Sequence, residues 1–382
     1  MKFSLDWVSL VILAGSVIGI FLSLILFVLK KGNKFANFFL GAFLLSYSLG
    51  NLGAVPTHAG IIADVPHLFG LFMPFIFLIG PFLFLYILSL TRPDFRFAKT
   101  QTLHFAPYAV ALVLFFVFVY IRNADYKISL IRRMQAGEDL GGLVVYMVAR
   151  TVHILVYLAL CLNLLRKHAK TLPDRFSALE RVNLNWLRLL VLAYATGLVA
   201  IVILAQLDVP DTTLHLYGTL VILIIGARGL TQTEIFGRAP FPEAAPKAGP
   251  KYERSSLTQE QAEEAEKLLL AVMENDKLYL EEELSLRSLS EKTGLAPSYV
   301  SQVINERLKK NFYDFVNGYR VEEAQRILRD PRRRDQKILG IAFDTGFASK
   351  VAFNRVFKKY SGLTPSQYKD RYQGNKSSVV TR

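Results

Sequence analysis

The residues best suited to specific hydrogen bonding lie in two segments near the C-terminal end of the chain, about 285–308 and 337–360. Each segment has the pattern of a short apolar helix, a glycine turn and a second helix, which is typical of a helix-turn-helix unit. In the first segment Val300, Val303 and Ile304 recur at helical spacing and, with Leu308, predict a buried face. The opposite face of this helix then carries Ser298, Ser301, Gln302 and Asn305.

Small polar side chains at the start of such a helix can reach the edges of DNA bases. Gln302 is the strongest candidate, because a carboxamide can form two hydrogen bonds with adenine. For Ser298 and Ser301, a contact with phosphate and none with a base is an open alternative. Tyr299 fits packing or a phosphate contact as well as it fits base reading, so its role stays open.

The second segment repeats this pattern, with Ser349 as the expected N-cap of its second helix. Phe353 and Phe357 are predicted to anchor that helix in its core. The residues expected to face a DNA groove or its phosphates are Lys350, Val351, Asn354, Arg355, Lys358 and Lys359. For Arg355, a base contact and an internal ion pair with Asp344 are both open.

The positive charge of the chain is concentrated in the same region. The net charge is +14, and residues 287–382 contain 20 Lys+Arg against 9 Asp+Glu, whereas residues 251–286 contain 4 against 10. A basic module favours a phosphate backbone as its partner. Charge alone leaves ribosomal contact, anionic lipid and simple solubility open as alternatives.

Two further helices are predicted around these units. Phe312–Arg329 is expected to form one amphipathic helix of about 27 Å, at 1.5 Å per residue, which would hold the two units in successive major-groove segments. An acidic amphipathic helix is predicted upstream over 256–280, with Ser256 and Gln259 as its start signal. Its expected role is packing.

Together these residues resemble the AraC-type transcription regulators, whose DNA-binding region contains two helix-turn-helix units joined by a long helix. The similarity covers about residues 284–372. Its most specific part is the series Ile341-Ala342, Gly346-Phe347, Ser349, Phe353, Arg355, Phe357-Lys358-Lys359, Gly362, Thr364-Pro365 and Tyr368. The resemblance implies sequence-specific binding of double-stranded DNA by both units. The upstream region does not resemble the soluble sugar-binding sensor common in that family, so no effector is implied.

The upstream region is almost continuously apolar, and the whole chain has 52% hydrophobic residues. Apolar runs of about twenty residues match the thickness of a bilayer core. Seven spans are predicted, at 7–29, 35–55, 66–90, 103–121, 141–165, 186–207 and 212–230. The predicted fold is therefore all-α, with a seven-helix transmembrane domain at 1–230, a Pro/Ala/Gly-rich linker at 231–256 and an AraC-type domain at 257–382.

The loop charges predict the orientation of this bundle. A C-terminal DNA-binding domain must face the cytoplasm, so an odd number of spans places the N-terminus outside. The loops then placed inside carry eleven Lys and Arg residues and those outside carry five, in keeping with the positive-inside rule. The sequence thus predicts a multi-pass protein of the inner (cytoplasmic) membrane. The long outer loop at 122–140 either covers a ligand site or is merely solvated.

Polar groups within the predicted spans are few. Arg150 and His153 lie one turn apart in the fifth span and are candidates for signal sensing, with a hydrogen bond to a neighbouring helix or snorkelling as the alternative for Arg150. Pro74 and Pro81 predict a kink in the third span. No metal site is predicted, because tight ligand spacing is absent from the polar residues near the outer ends of the spans: His58, Asp64, His67, Asp208, Asp211 and His215.

Catalytic motifs are not recognisable in the sequence, which contains no evident catalytic triad, paired-carboxylate motif or phosphate-binding glycine loop. We therefore predict neither an enzyme nor a cofactor. The single cysteine, Cys161, excludes an intrachain disulfide and a cysteine zinc site.

The preferred hypothesis from the sequence is a membrane-bound one-component transcription regulator. Its seven-span domain would sense an unknown small-molecule or membrane signal, and its cytoplasmic domain would bind DNA, in one copy or as a homodimer. The alternatives are a membrane transporter or enzyme with a DNA-binding reporting tail, and a regulator whose tail is released by proteolysis.

Overall fold

The structure is a computed structural model that describes residues 6–92, 95–138, 141–179, 182–204, 212–236 and 257–373. Within these residues the regular secondary structure is helical. The chain divides into two compact units. The N-terminal unit contains Met1–Arg166 and Leu184–Phe241, and the C-terminal unit contains Lys167–Asn183 and Pro242–Arg382. Residues 167–183, between the fifth and sixth predicted spans, thus group with the C-terminal unit.

The N-terminal unit is built from long apolar helices joined by short turns. Its helices are α1 (Trp7–Val28), α2 (Lys34–Leu52), α3 (Val55–His58), α4 (Ile76–Thr91), α5 (Ala106–Phe115), α6 (Ala124–Gln135), most of α7 (Gly141–Thr171), α8 (Asn185–Leu204) and α9 (Thr212–Phe236).

Five of the described helical segments are long and apolar enough to cross a membrane. They are Trp7–Val28, Lys34–His58, Pro66–Thr91, Lys99–Tyr120 and Gly141–Asp174, and they coincide with the first five predicted spans. Helices α8 and α9 lie where the sixth and seventh were predicted, and within them the shorter stretch Leu216–Arg228 is apolar. The count of seven therefore stays a prediction.

Helix α1 has an inverted distribution of polarity. It buries Ser16 and Ser23, and the hydroxyl of Ser23 donates to the carbonyl oxygen of Gly41 on α2 at 2.8 Å. On the same helix Phe21 is 62% exposed and Val28 is 75% exposed. Small polar groups thus face the other helices, with the hydroxyl of Ser23 bonded to α2 and that of Ser16 bonded to Ile12 of its own helix, and large apolar groups face outward.

The third predicted span is not one continuous helix. Two short 3₁₀ turns, Pro66–Leu68 and Met73–Phe75, precede α4, which begins at Ile76. Pro74 therefore sits in the turn that opens the helix, where its missing N–H is harmless, and only Pro81 lies inside. The expected kink at Pro74 is replaced by a break.

The predicted outer loop at 122–140 contains a helix. Asn123 caps α6 by accepting a hydrogen bond from the backbone N of Tyr126 at 3.0 Å. Lys127, one of the five positive residues counted in the outer loops, is only 2% exposed, and its Nζ lies 3.2 Å from His67 Nδ1 and 3.3 Å from the carbonyl oxygen of Tyr120. One side of α6 is therefore packed, with Lys127 and Ile131 buried, while most other residues of the segment are exposed.

The C-terminal unit contains two hydrophobic cores that share one helix. Its helices are α10 (Gln259–Glu274), α11 (Leu286–Thr293), α12 (Pro297–Gln302), α13 (Phe312–Arg329), α14 (Ile338–Asp344), α15 (Lys350–Ser361) and α16 (Pro365–Gln373). The first core gathers α10, α11, α12 and the start of α13, and the second gathers the rest of α13 with α14, α15 and α16. The linking helix α13 has the predicted limits.

The helix predicted at 256–280 is shorter in the structure. Its N-cap is Thr258, which forms a capping box with Gln261, and it ends at Glu274. The left-handed Lys277 (φ 52°) and a 3₁₀ turn at Leu278–Leu280 follow. Ser256 lies outside the described residues, as does 237–256 of the predicted linker, and α9 continues to Phe236, past the linker's predicted start.

Candidate nucleic-acid interface

The first helix-turn-helix unit forms where its sequence predicts. Ser285 Oγ caps α11 by accepting a hydrogen bond from the backbone N of Ser288 at 3.1 Å, and Gly294 ends the helix in the left-handed conformation (φ 69°). Pro297 then opens α12. The predicted inner face is buried at Val300, Val303 and Ile304. Leu308 lies at its margin, partly buried.

The polar side of α12 carries the predicted candidates Ser298, Ser301 and Gln302, together with Tyr299, and all four are half-buried. Nε2 of Gln302 donates to Oε2 of Glu306 at 3.0 Å. Nδ2 of Asn305 donates to the carbonyl oxygen of Ser301 at 2.8 Å, and the helix widens into a π turn over Val303–Arg307. This hydrogen bond uses one of the two N–H groups of the Gln302 carboxamide, so Glu306 competes with a base for this side chain.

The second unit also forms as predicted. Gly346 makes the turn with φ 81°, and Ser349 Oγ caps α15 by accepting from the backbone N of Ala352 at 3.1 Å. Phe353 and Phe357 are both fully buried, with ring centroids 5.4 Å apart. This packing fixes the rotation of α15 about its axis and so decides which side chains face outward.

The outward face of α15 is exposed and basic. Val351 is 75% exposed, Lys350, Arg355, Lys358 and Lys359 are exposed, and Asn354 is half-buried. Arg355 has electrostatic or hydrogen-bonding partners within the protein. Asp344, its predicted alternative partner, accepts a hydrogen bond from Gln336 Nε2 at 2.5 Å.

Lys359 is also held by the linking helix. Its Nζ donates to Oδ1 of Asp314 on α13 at 2.7 Å, and the hydroxyl of Tyr360 donates to the same oxygen at 2.8 Å. Partial burial raises the pKa of Asp314, but the hydrogen bonds from Lys359 and Tyr360 outweigh this and hold the pKa below its usual value. Asp314 stays ionised and ties α15 to α13.

Arg320, in the middle of α13, contacts the backbone before the first helix-turn-helix unit and the turn of the second. The side chain is 1% exposed, its Nε donates to the carbonyl oxygen of Tyr279 at 2.7 Å, and its Nη2 donates to that of Glu281 at 2.7 Å. The guanidinium also lies 5.8 Å from the ring centroid of Phe347, in the turn of the second unit. A buried charge is tolerated here because backbone carbonyls of the 279–281 segment receive its protons.

The two sensing candidates lie on α7. Arg150 is half-buried there. Nε2 of His153 lies 3.1 Å from the carbonyl oxygen of Phe77, so this nitrogen carries the proton, and its ring centroid is 4.8 Å from that of Tyr157. The hydroxyl of Tyr157 is in turn 2.7 Å from His104 Nδ1. His153 therefore belongs to a polar chain that links α4, α7 and the turn before α5.

Among the described residues, no group of three or more His, Cys, Asp or Glu side chains could hold a metal ion. Asp208 and Asp211 lie outside those residues.

Known proteins resemble the C-terminal region. Residues 289–371 match the family described as a helix-turn-helix domain. An uncharacterised HTH-type transcriptional regulator of Staphylococcus aureus (strain COL) is 38% identical over 92 residues, which are 24% of this chain and 12% of that protein. A regulator from strain MRSA252 has the same identity and coverage. The Msm operon regulatory protein of Streptococcus mutans is 25% identical over 92 residues, which are 24% of this chain and 32% of that protein.

These matches cover a minor part of each protein, since the chain spans about an eighth of the length of the Staphylococcus relatives (12%). No solved structure matches the chain. The C-terminal region is therefore similar to the helix-turn-helix domains of transcriptional regulators. The family match does not extend to the N-terminal unit.

Proposed function

We propose that this protein is a membrane-bound one-component transcription regulator, in which the N-terminal unit senses a signal and the C-terminal unit binds specific DNA sequences. The observation that carries the proposal is the pair of complete helix-turn-helix units. Each has its own buried core and an outward polar helix face, and α13 belongs to both cores. The similarity to HTH-type transcriptional regulators supports the same conclusion.

Placement in a membrane is supported by the inverted polarity of the N-terminal unit. Its five long apolar helices leave large hydrophobic side chains exposed, including Phe21, Val113 (61% exposed) and Val145 (69% exposed), while serines face the interior. Such surfaces would aggregate in water and suit lipid. The loop charges support an N-terminus outside and a C-terminus in the cytoplasm.

The DNA-binding part is tested by selecting bound sequences from a random duplex library with the full chain in lipid nanodiscs. We expect enrichment of two short motifs, one for each unit, spaced by about one helical turn. The polar positions on α12 and α15, Gln302 and Arg355 above all, are proposed to determine them. Recovery of no enriched sequence, with binding that depends only on salt, would contradict sequence-specific recognition.

The membrane part is tested by fractionation. We expect the intact chain in the inner membrane, resistant to extraction by high salt and alkali, with a C-terminal tag accessible only after the membrane is opened. An intact chain found in the soluble fraction would refute this placement. A genome-wide map of sites bound by the tagged protein would then identify target genes, and solute uptake into liposomes would instead favour a transporter.

A further inference from the structure

Residues 172–179, which we call the docking loop, pack against the DNA-binding part of the C-terminal unit. The loop follows directly on α7, the helix that carries Arg150 and His153, and it precedes α8. All contacts of the docking loop described below lie within the C-terminal unit. They involve both helix-turn-helix units and the helix between them.

The first contact is with the start of the first unit. The backbone N of Leu286 donates to the carbonyl oxygen of Arg175 at 3.0 Å, and Phe176 and Ser285 form an antiparallel bridge. The hydroxyl of Ser177, only 3% exposed, donates to the carbonyl oxygen of Leu284 at 2.6 Å. The docking loop thus binds the backbone immediately before α11, and the bridged Ser285 is the residue that caps α11.

The second contact is with the linking helix. Nδ2 of Asn317, on α13 and 1% exposed, donates to the carbonyl oxygen of Ser177 at 3.0 Å. Oδ1 of the same Asn317 lies 3.4 Å from Nη1 of Arg320. Ser177 therefore bonds to the segment before α11 through its hydroxyl and to α13 through its carbonyl oxygen.

The third contact is with the second unit. The side chain of Leu179 packs against the second core, which includes Tyr313, Ile341 and Phe353. Leu172, at the other end of the docking loop, is buried. Apolar burial at the ends and paired polar groups in the middle are the features of a specific interface, because each buried donor or acceptor would be costly if left without its partner.

We propose that the docking loop is a coupling element that holds the two helix-turn-helix units in one arrangement and transmits movements of α7 to them. The coupling role rests on the proposed function, since it requires a signal received on the membrane side. The docking of the loop on the C-terminal unit does not depend on the proposed function. Because Ser177 and Leu179 touch the first helix-turn-helix unit, α13 and the second core, a shift of the loop would change the relative placement of α12 and α15, which we call the recognition helices.

The docking is tested by cutting the chain between the units. A protease site is inserted at residues 245–246 of the full chain, which carries an N-terminal affinity tag and is solubilised in detergent. After cleavage we expect the C-terminal fragment to remain on the affinity resin, because the docking loop belongs to the tagged fragment. Release of the fragment from the wild-type sequence would overturn the docking.

Two loop variants and one matched control sharpen this test. Ser177→Ala removes the buried bond to Leu284 and should weaken retention on the order of tenfold, and Leu179→Asp should abolish it. Thr171→Ala removes a hydroxyl whose bond goes to the carbonyl oxygen of His168 in its own helix, at 3.0 Å, and should leave retention unchanged. Equal retention by the two hydroxyl variants would refute the role of Ser177.

The coupling is tested with the uncut chain in nanodiscs. Ser177→Ala and Leu179→Asp should change the affinity for a two-site duplex by at least threefold, while Thr171→Ala leaves it as in the wild type. If the fragment is retained but no loop variant alters DNA affinity, the coupling role is wrong and only docking survives. If the uncut wild-type chain binds no duplex specifically, the proposed function fails while the retention result still decides the docking.

Discussion

A Cβ atom at Gly346 would lie 2.6 Å from the carbonyl oxygen of Tyr279. The same oxygen accepts the hydrogen bond from Arg320 Nε at 2.7 Å. The turn of the second helix-turn-helix unit and the middle of the linking helix therefore meet one backbone segment that precedes the first unit. Their convergence fixes the two units relative to each other within the C-terminal unit.

Gly346→Ala should destabilise the C-terminal unit. The left-handed backbone (φ 81°) costs an alanine about 1–2 kcal/mol, and the clash with the Tyr279 carbonyl adds to this. We expect a loss of at least about 2 kcal/mol, measured by hydrogen exchange of the α14 and α15 amides in the full chain.

The matched control for this change is Gly340→Ala, on the neighbouring helix α14. A Cβ there would come no closer than 3.8 Å to the side chain of Gln336, and the backbone is helical. The control should be neutral or stabilising by about 0.5–1 kcal/mol. Equal losses at both positions would contradict the close approach at Gly346.

Arg320→Leu should lower stability as strongly, for a different reason. Leucine fills much of the space but leaves the carbonyl oxygens of Tyr279 and Glu281 without their buried donor, at a cost of about 3 kcal/mol. Arg326→Leu is the control, because that side chain is 67% exposed and its partner Glu323 keeps a second cation, Lys277, at 3.8 Å. Similar protection from proteolysis in both variants would show that Arg320 has no structural role.

Local features of the C-terminal unit could be predicted from the sequence. These features depend on neighbours within about one helical turn, so sequence spacing indicates them. They are the left-handed turn at Gly294, the N-cap at Ser349 and the helical spacing of the buried Phe353 and Phe357. The linking helix Phe312–Arg329 was predicted to the residue for the same reason. The end of α10 was misjudged, because the apolar Leu278 and Leu280 continue the pattern beyond the left-handed Lys277 that stops it.

Contacts between distant segments could not be predicted in this way. Ser177 and Leu284 are 107 residues apart, and nothing in the short mixed sequence around Ser177 indicates that it binds another segment. The loop charge of Lys127 gives no sign that this side chain is buried beside His67. Arg320 gave no signal beyond its helical position. In each case the decisive partner is a group that sequence spacing does not bring close.

The ion pair between Asp314 and Lys359 should make the attachment of α15 to α13 dependent on acid. Because the pKa of Asp314 is lowered in the folded chain, its contribution is present above the unfolded value of about 3.8 and is lost as the pH falls through the lower folded value. Asp314→Asn should remove this part of the acid dependence below about pH 4 and leave stability at pH 7 reduced. The measurement is the free energy of unfolding of both chains between pH 2 and 6. The same acid transition in Asp314→Asn as in the wild type would refute the role of Asp314.

Base reading by the two recognition helices should be separable from phosphate binding. Arg355→Ala should relax preference at one position of a selected duplex by about 1–3 kcal/mol if its guanidinium contacts a base. Lys358→Ala should instead weaken binding to all DNA sequences alike. It should also reduce the slope of log affinity against log salt concentration by about one, the value for one released counterion. Identical effects of the two substitutions would place Arg355 on phosphate or in an internal pair.

The hydrogen bond between Gln302 and Glu306 makes the clearest prediction for the first unit. Glu306 Oε2, 3.0 Å away, holds one N–H group of the carboxamide, so this carboxylate competes with adenine for the side chain and also repels nearby phosphates. Glu306→Ala should therefore raise DNA affinity, and Gln302→Ala should lower discrimination by about 1–3 kcal/mol. In the double variant Glu306→Ala with Gln302→Ala, the increase in DNA affinity should be smaller than in Glu306→Ala alone and the same for every DNA sequence, because only the electrostatic effect of removing the carboxylate remains. A gain that keeps its full sequence preference without Gln302 would rule out base contact by this side chain.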